Sequence, residues 1–503
     1  MSEYFEINTN NTIPPMESIS LLESRASAAH SFTQNCENEL SIAVISFNRI
    51  DKTKVCVENL IKNTKLPFNL ILIDSGSAPD ILEYYKSVDF PNKTIIRITK
   101  NINGNFSFKV AMENLKSKYC AIVSNDVVVT ENAIENLLKC IQSANNIGWV
   151  SPVSSNVSNC QQVNLEFNTM EEMHEKAAKY NVSNPLKWHE RMCLMPAIFF
   201  YKKECIDIVG GFDYGFFHDF ADDDMARRIN RAGYKTILCK DTWVHHNHIY
   251  NLNEEESIKQ AKSLTRGRNN FSEKYYGLDA WDDIRNFETE LISNIKNPEK
   301  QGWNPDILGI DTRCGTPILE IRNTLREYGL TKTICDAFTS NAKYFLDLQT
   351  ICNTVNCDRI DFLCDYYNNE SYDYILVGEP INNYNNPYLV LRHLFGLLKP
   401  NGTLLFKLRN TLNQNALQYS LGNFNIPNLT QSSLCISAEN INNYLIEMGA
   451  VVSQVTLLYQ PTSSDTMEIL KKALNSVDFT NHVPSTLARL ITKDYLFCIK
   501  KKD

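Results

Sequence analysis

Apolar segments of strand length alternate with apolar positions at helical spacing along the first third of the chain. Leu40 to Ser46 is long enough for one buried strand, and Val57, Leu60 and Ile61 then recur at helical spacing. Further strand-like segments follow at 70–74, 94–98 and 121–126. This alternation predicts parallel βαβ units in an open α/β sheet, whose ligands bind outside the carboxyl ends of the strands.

Residues able to bind a metal ion follow the predicted strands. Asp74 and Asp126 stand at strand ends, and the cluster His245, His246 and His248 follows a later strand. Carboxylate and imidazole can together hold a divalent ion, and imidazole suits Mn²⁺ better than the harder Mg²⁺. The alternative is that Asp126 only caps the next turn and that the histidines are ordinary surface residues.

Three consecutive aspartates open a predicted helix. Asp223 and Asp224 each lie four residues before an arginine, Arg227 and Arg228, which predicts two ion pairs on the helix surface. Asp222 has no such partner and lies at the N-cap or in the first turn, so it is the free acid of the three. The alternative is that Asp222 only caps the helix and interacts with its dipole.

Four segments resemble family 2 glycosyltransferases of the GT-A fold. They are SIAVISFNR, LILIDSGSAPD, NINGNFSFKVAMENL and GGFDYGFFHDFADDDMARRINRAGYK. The chain departs from the family pattern at Ser124, where an Asp or Asn would open the strand-end acidic motif, and at Ala221, where a Glu would precede Asp222.

The resemblance implies an inverting, metal-assisted transfer of a sugar from a nucleoside-diphosphate donor to a hydroxyl group. It makes Asp222 the general base and assigns Mn²⁺ or Mg²⁺ to Asp126 and His245. The implied nucleotide-binding residues are Ser46, Asn48, Arg49, Asp74, Lys109 and Asn125. A UDP-sugar, with UDP-N-acetylglucosamine as the default, is the implied donor.

The acceptor follows from a broader similarity. Two-domain enzymes of this type in bacteria with Asn-, Ile- and Lys-rich proteins resemble flagellin-modifying transferases. Ser or Thr of flagellin or another surface protein is therefore the expected acceptor, and a surface polysaccharide is the second. The helical segment at 170–180 is either a part of acceptor recognition or a passive surface helix.

The last part of the chain resembles class I methyltransferases that use S-adenosylmethionine. The resemblance covers ILGIDTRCGTP, a strand KTICDAF ending at Asp336, the strand and helix of SYDYILVGEPINNYNNPYLVLRHLFGLLKP, a turn at Pro400 and Asn401 followed by another strand, and a terminal antiparallel pair. Arg313 and Pro317 replace two glycines of the cofactor loop, where a Cβ obstructs close approach of the backbone. We therefore expect a methyltransferase-like fold that does not bind S-adenosylmethionine and that serves as a scaffold for the acceptor, a partner or self-association.

Two other functions remain open at this stage. One is a bifunctional glycosyltransferase and methyltransferase acting on a surface polysaccharide. The other is a non-catalytic binding protein, which the changes at Ser124 and Ala221 would allow.

Composition and segment pattern indicate an α/β protein of two domains. We expect an N-terminal extension over 1–37, a GT-A nucleotide-sugar-binding domain over 38–285, a linker over 286–305 and a Rossmann-like methyltransferase-type domain over 306–503. The extension begins polar and mobile, and one docked helix follows Pro15.

The net charge and the cysteine content indicate which binding partners and which cellular compartment to expect. A net charge of −8 without a long basic run gives no sign of a nucleic-acid partner. Fifteen cysteines without a CxxC pair are typical of reduced thiols. With no secretory signal and no apolar stretch of the roughly 20 residues that a membrane helix needs, we expect a cytoplasmic protein.

Overall fold

The structure is a computed structural model. It describes residues 3–9, 39–213, 215–216, 219–248, 253–296, 298, 304–413, 415, 434–476 and 483–502. The chain forms two compact units that divide between Arg285 and Asn286. The helix expected after Pro15 lies outside the described residues.

The first unit is an α/β domain. Its strands are β1 (Glu3–Ile7), β2 (Leu40–Ser46), β3 (Asn69–Asp74), β4 (Lys93–Ile98), β5 (Tyr119–Ser124), β6 (Val127–Val128), β7 (Ile147–Ser154), β8 (Trp188–Arg191), β9 (Ile198–Lys202) and β10 (Lys235–His246). Its helices are α1 (Ile50–Asn63), α2 (Pro79–Ser87), α3 (Gly104–Asn114), α4 (Ala133–Gln142), α5 (Met170–Tyr180), α6 (Lys203–Val209), α7 (Ala221–Arg231) and α8 (Glu254–Lys274). A short π-helical turn, Ala280–Ile284, follows α8.

These strands form one sheet in the order β1-β4-β3-β2-β5-β9-β7-β10-β6, and β8 pairs with β10. From β1 to β5 the neighbours are parallel, as the βαβ pattern predicts, and β9 is antiparallel to both β5 and β7. The expectation of a mobile N-terminus is wrong for Glu3–Ile7, because this segment pairs in register with β4 as an edge strand.

Alternating apolar residues of the central strands build the core on one face of this sheet. Val44, Leu72 and Val123 belong to the same buried cluster as Leu60 of α1 and Leu137 of α4. Burying a side chain of this kind contributes about 1.5–3 kcal/mol. The core therefore fixes the strands, and the loops at their carboxyl ends project from a rigid base.

The second unit is also α/β. Its strands are β11 (Asp306–Ile310), β12 (Ile334–Thr339), β13 (Thr354–Cys357), β14 (Tyr372–Val377), β15 (Leu398–Arg409), β16 (Ala450–Tyr459) and β17 (Thr492–Lys501). Its helices are α9 (Thr289–Ile292), α10 (Thr316–Glu327), α11 (Phe345–Gln349), α12 (Leu363–Tyr366), α13 (Pro387–Leu397), α14 (Ala438–Glu447), α15 (Ser464–Ser476) and α16 (Val483–Ile491).

The sheet of the second unit has the order β13-β12-β11-β14-β15-β17-β16. Its first five strands are parallel, and β17 is antiparallel to both of its neighbours. Apolar clusters cover both faces, with Leu308 and Ile310 on one side and Ile307 on the other. This is the Rossmann-like architecture of the methyltransferase type, which the sequence predicts.

Two local predictions for this unit need correction. Asp336 does not end its strand, because β12 continues to Thr339 and the Asp336 carboxylate accepts a hydrogen bond from the Tyr372 hydroxyl over 2.9 Å. The expected turn at Pro400 and Asn401 lies within β15, where Asn401 has a φ of 64° and the pairing with β14 shifts register.

Among the described residues, no helix is both long enough and apolar enough to cross a membrane.

Candidate active site

The end of β10 lies beside the segment that follows β5. His246 pairs with Val127 of β6, and the Asn247 N–H donates to the carbonyl oxygen of Asp126 over 2.8 Å. Hydrogen bonds of the sheet therefore bring the histidine cluster to Asp126, although the two lie far apart in the sequence.

Asp126, His246 and His248 form a group that could hold a metal ion. The His246 Nε2 atom lies 3.6 Å from Asp126 Oδ1, and the His248 Nδ1 atom lies 3.4 Å from Asp126 Oδ2. All three ligand atoms fall within 4.8 Å of one another. Atoms that each bind one ion at about 2.1 Å lie as far from one another as these three ligand atoms do. The spacing of the group therefore matches a site for a divalent ion.

A second contact orients one of these imidazoles. His246 Nδ1 lies 3.1 Å from the carbonyl oxygen of Asn156, which requires a hydrogen on Nδ1. Nε2 then faces Asp126, as a donor to the carboxylate when it carries a hydrogen and as a metal ligand when it does not. Burial opposes ionisation of Asp126, but the hydrogen bonds and attraction of His246 and His248 outweigh it and lower its pKa to about 2. Asp126 is therefore a carboxylate at any neutral pH.

His245 takes a different position from the one expected. It does not belong to the group around Asp126, because neighbouring residues of a strand point to opposite faces. Its Nδ1 atom lies 2.8 Å from Ser155 Oγ, and its ring packs against Trp243 and Phe167. Burial, followed by repulsion from His246, lowers the pKa of His245.

The predicted nucleotide-binding residues on β3 and in the loop after β2 contact one another. Asp74 is fully buried, and its carboxylate accepts from Arg97 over 2.6 Å and from the Ser77 N–H over 2.8 Å. The side chain of Asn48 accepts from the Ala78 N–H over 3.1 Å. These contacts connect the loops that follow β2 and β3 and occupy the Asp74 carboxylate.

Two more of these residues connect that loop to the metal-binding group. Asn125 donates from Nδ2 to the Asn48 carbonyl and to Thr53 Oγ1 over 3.2 and 2.9 Å. Arg49 is largely exposed, and its Nη1 atom lies 3.9 Å from Asp126 Oδ2. The arginine thus places an exposed cation beside the candidate ligands.

The remaining two predicted residues are engaged elsewhere. The Ser46 hydroxyl is buried and hydrogen-bonds to the Tyr85 hydroxyl. Lys109 lies on α3, with its Nζ atom 3.8 Å from Glu113.

Asp224, the third aspartate of α7, is fully neutralised. Arg228 Nε lies 2.9 Å from its Oδ2 at the predicted spacing, and Lys274 Nζ lies 2.5 Å from its Oδ1. The Tyr275 hydroxyl donates to Oδ1 over 2.7 Å. Burial alone would raise the pKa of Asp224, but these cations and the tyrosine outweigh it and lower the pKa to about 2.

Asp223 is not the surface residue that its spacing predicts. It is only 1% exposed, and Arg285, 62 residues further along the chain, holds both of its oxygens. The Nη2–Oδ2 and Nε–Oδ1 distances are 2.5 and 3.2 Å. Sequence reasoning missed Arg285, Lys274 and Tyr275 because no local spacing connects them with α7.

Asp222 differs from its two neighbours in having no ion pair among the described residues. It is the second residue of α7, and its Oδ2 atom is shielded from solvent without a hydrogen-bond partner in the described parts of the chain. Burial, reinforced by repulsion from Asp223, raises the pKa of Asp222 to about 7 despite the attraction of Arg285. This carboxyl group can therefore exchange a proton near neutral pH.

Comparison with known proteins identifies the chemistry of the first unit. Residues 41–233 match the family model described as Glycosyl transferase family 2. This span includes Asp126 and Asp222 and ends before the histidine cluster and Arg285. The first unit is thus similar to family 2 glycosyl transferases over this span, and the match supports a glycosyltransferase activity for the protein.

Several solved structures are similar to parts of the chain, whereas no curated protein sequence matches it. The mannosyltransferase PcManGT from Pyrobaculum calidifontis, in complex with GDP-Man and Mn²⁺, is 15% identical over 50% of this chain and 74% of its own, with a TM-score of 0.36. GalNAc-T7 with UDP, GalNAc and Mn²⁺ is 13% identical over 42% of this chain and 44% of its own, with a TM-score of 0.34. A SAM-dependent methyltransferase from Archaeoglobus fulgidus is 16% identical over 46% of this chain and 98% of its own, with a TM-score of 0.31.

The group around Asp126 predicts which substitutions weaken metal binding. His246→Ala and Asp126→Ala each remove one of three ligands and should weaken the binding of Mn²⁺ by at least about 10–100-fold. Calorimetric titration with Mn²⁺ in the presence of UDP measures this effect. His245→Asn keeps a polar atom near Ser155 and should leave the affinity unchanged. A loss confined to the His245 variant would contradict this assignment.

Proposed function

We propose that the first unit transfers a sugar from a nucleoside-diphosphate sugar to a hydroxyl group with inversion of configuration. One observation carries this proposal: Asp222 presents a shielded carboxyl oxygen that has no ion pair within the described parts of the chain, in a unit that matches the glycosyl transferase model. A single such carboxylate suits a one-step displacement, in which it needs only to remove the proton of the acceptor.

Asp222 acts as the general base in this reaction. Its carboxylate accepts the proton of the acceptor hydroxyl while that oxygen forms a bond to the anomeric carbon of the sugar. The bond between the anomeric carbon and the diphosphate oxygen breaks on the opposite side, and its electron pair leaves with the diphosphate. A base with a pKa of about 7 is half deprotonated at neutral pH and is still basic enough to take part in proton transfer.

Asp126, His246 and His248 hold a divalent metal ion in this proposal, and they take the place that the sequence assigned to Asp126 and His245. The donor set of one carboxylate and two imidazoles fits Mn²⁺ better than Mg²⁺. When bound, such an ion neutralises the charge that develops on the leaving diphosphate. Arg49, close to Asp126, adds a second positive charge on the same side.

The donor and acceptor follow from the family resemblance. We propose a UDP-sugar, with UDP-N-acetylglucosamine as the first candidate, because the loops at Asp74 and Asn48 correspond to the family's nucleoside-binding segments. A Ser or Thr hydroxyl of flagellin or a similar surface protein is the proposed acceptor, and a surface polysaccharide is the second.

A thermal-shift screen tests the donor class directly. The panel contains UDP-, GDP- and dTDP-sugars, each with Mn²⁺ and with EDTA. A nucleotide sugar at 100 times its dissociation constant stabilises the protein by about 2.7 kcal/mol, which gives a measurable rise in Tm. If no member of the panel raises the Tm with Mn²⁺, the proposed function is wrong.

Replacing the proposed base should remove activity without removing donor binding. Asp222→Asn should lower the rate of transfer by about 10²–10⁴-fold, the range of a general base. Calorimetry should give nearly the same affinity for UDP. Asp465→Asn is a matched control, since Asp465 is the second residue of α15 and is exposed, and it should keep the full rate. Full activity in Asp222→Asn would exclude this residue from the mechanism.

The second unit has the fold of an S-adenosylmethionine enzyme, but the residues at the expected cofactor loop do not fit that ligand. Arg313 forms a forked ion pair with Glu379, with Nη2 and Nε at 3.0 and 3.1 Å from Oε1. A Cβ at Gly378 would lie 2.4 Å from the carbonyl oxygen of Asp311, so the loop packs directly against the end of β14. These contacts engage the Arg313 side chain and hold the expected cofactor loop against the end of β14.

Two aspartates were expected at strand ends of this region: Asp311 makes internal hydrogen bonds, and Asp336 does not lie at the end of its strand. Asp311 accepts hydrogen bonds from the Ser340 N–H over 2.6 Å and from the Tyr384 hydroxyl over 2.7 Å. Ser340, not Asp336, follows the end of β12, so no carboxylate stands at that position. We therefore propose that the second unit is a non-methylating scaffold and that no methyl transfer follows glycosylation.

Binding of S-adenosylmethionine to the full chain tests this second proposal. Calorimetry should detect no saturable binding up to about 1 mM. Binding of UDP with Mn²⁺ to the same sample serves as the positive control for folded protein. Saturable binding of S-adenosylmethionine, or a product that carries an added methyl group, would favour a bifunctional enzyme instead.

A further inference from the structure

We propose that Arg285 is a positioning residue for the general base: it neutralises Asp223 and thereby allows the adjacent Asp222 to be a carboxylate at neutral pH. This inference rests on the proposed function of Asp222. Arg285 lies outside the span that matches the family model, so the family match does not assign it a role.

Two of the three carboxylates at the start of α7 each have their own cationic partner. Asp224 has Arg228 and Lys274, and Lys274 also lies 2.6 Å from Asp213. Arg285 is the partner of Asp223, whose side chain is completely buried. A forked guanidinium–carboxylate pair is both strong and directional, so this contact fixes the orientation of the first turn of α7 as well as its charge.

Other contacts hold Arg285 in place. Its backbone N–H donates to the Trp281 carbonyl over 3.1 Å at the end of the π-helical turn. Its guanidinium lies over the Phe220 ring at 5.7 Å, and the Trp281 ring packs on the same phenylalanine at 5.6 Å. Phe220 is the N-cap residue of α7 and has a φ of 67°. Arg285 thus packs against the N-cap residue of α7, the helix that carries Asp222.

The groups that face Asp222 come from three elements. Asp223 and the backbone N–H groups of the first turn belong to α7, and Arg285 directly follows the π-helical turn. Beyond β8 lies the Cys193 thiol, with Arg191 near it; burial raises the pKa of Cys193 well above its ordinary value, so the thiol is neutral. Arg285 is therefore the cation that balances the adjacent pair of carboxylates.

Loss of this cation has a predictable consequence. Two adjacent buried carboxylates without a cation cannot both ionise near neutral pH, so one of them binds a proton. The pKa of Asp222 is already raised by burial, so Asp222 would take up this proton, and a protonated carboxyl group cannot act as the base. Activity should then return only at higher pH, where the proton is lost.

The test is the pH dependence of kcat/KM for the wild type and four variants. The assay measures release of nucleoside diphosphate from the nucleotide sugar that gives the largest Mn²⁺-dependent thermal shift. For the wild type, activity should rise with pH through a midpoint near 7, as the pKa of Asp222 requires. Arg285→Gln should move this midpoint upward by about 1–3 pH units, and Arg285→Lys by less.

A double substitution separates charge balance from a purely structural role. In Arg285→Gln combined with Asp223→Asn, the repelling carboxylate is gone, so the midpoint should return to the wild-type value or below it. Arg268→Gln is the matched control: it removes another arginine near Trp281, one that pairs with Asp279 and Asp282, and it should not move the midpoint.

The outcomes distinguish this inference from the proposed function. If Arg285→Gln lowers activity equally at every pH, or if the double variant keeps the high midpoint, Arg285 has no charge-balancing role. If Arg285→Gln does not fold, an unmoved midpoint in Arg285→Lys, or a raised midpoint in the double variant, has the same meaning. Full activity in Asp222→Asn would instead refute the proposed function itself.

Discussion

The neutralisation of three consecutive carboxylates at the start of α7 is the constraint on which the site depends. An unpaired charge is costly to bury, so each aspartate requires a cation or must give up its charge. Asp224 and Asp223 have cations from α8 and from the turn that follows it. Asp222 makes no ion pair among the described residues and is left with a pKa near neutrality, which is the property that a general base requires.

The metal-binding group depends on a second constraint, the register of β10. The pairing of β10 with β7 shifts register between Cys239 and Trp243, and the end of the strand pairs with β6. This register directs His246 to Asp126 and His245 to Ser155. A single strand thus supplies both a candidate metal ligand and, at the next residue, a side chain that packs on the opposite face.

The sequence predicted the elements that depend on interactions between residues close together in the chain. The strand at Leu40–Ser46, the helix with the aspartate triplet and the helix at Met170–Tyr180 follow from apolar spacing and are present. The contact between Asp223 and Arg285 depends on tertiary packing, and the choice of His246 over His245 depends on a register shift in β10. Neither is visible in the spacing of nearby residues in the sequence. Glu3–Ile7 was missed because its strand conformation comes from pairing with β4.

A crystal structure with Mn²⁺ and a non-hydrolysable nucleotide sugar tests the account most directly. It should show one anomalous peak for a manganese ion that Asp126, His246 and His248 coordinate, with the diphosphate bound to that ion. The Asp222 carboxylate should face the anomeric carbon on the side opposite the diphosphate. A manganese ion held by other residues, or a sugar bound out of reach of Asp222, would contradict the mechanism.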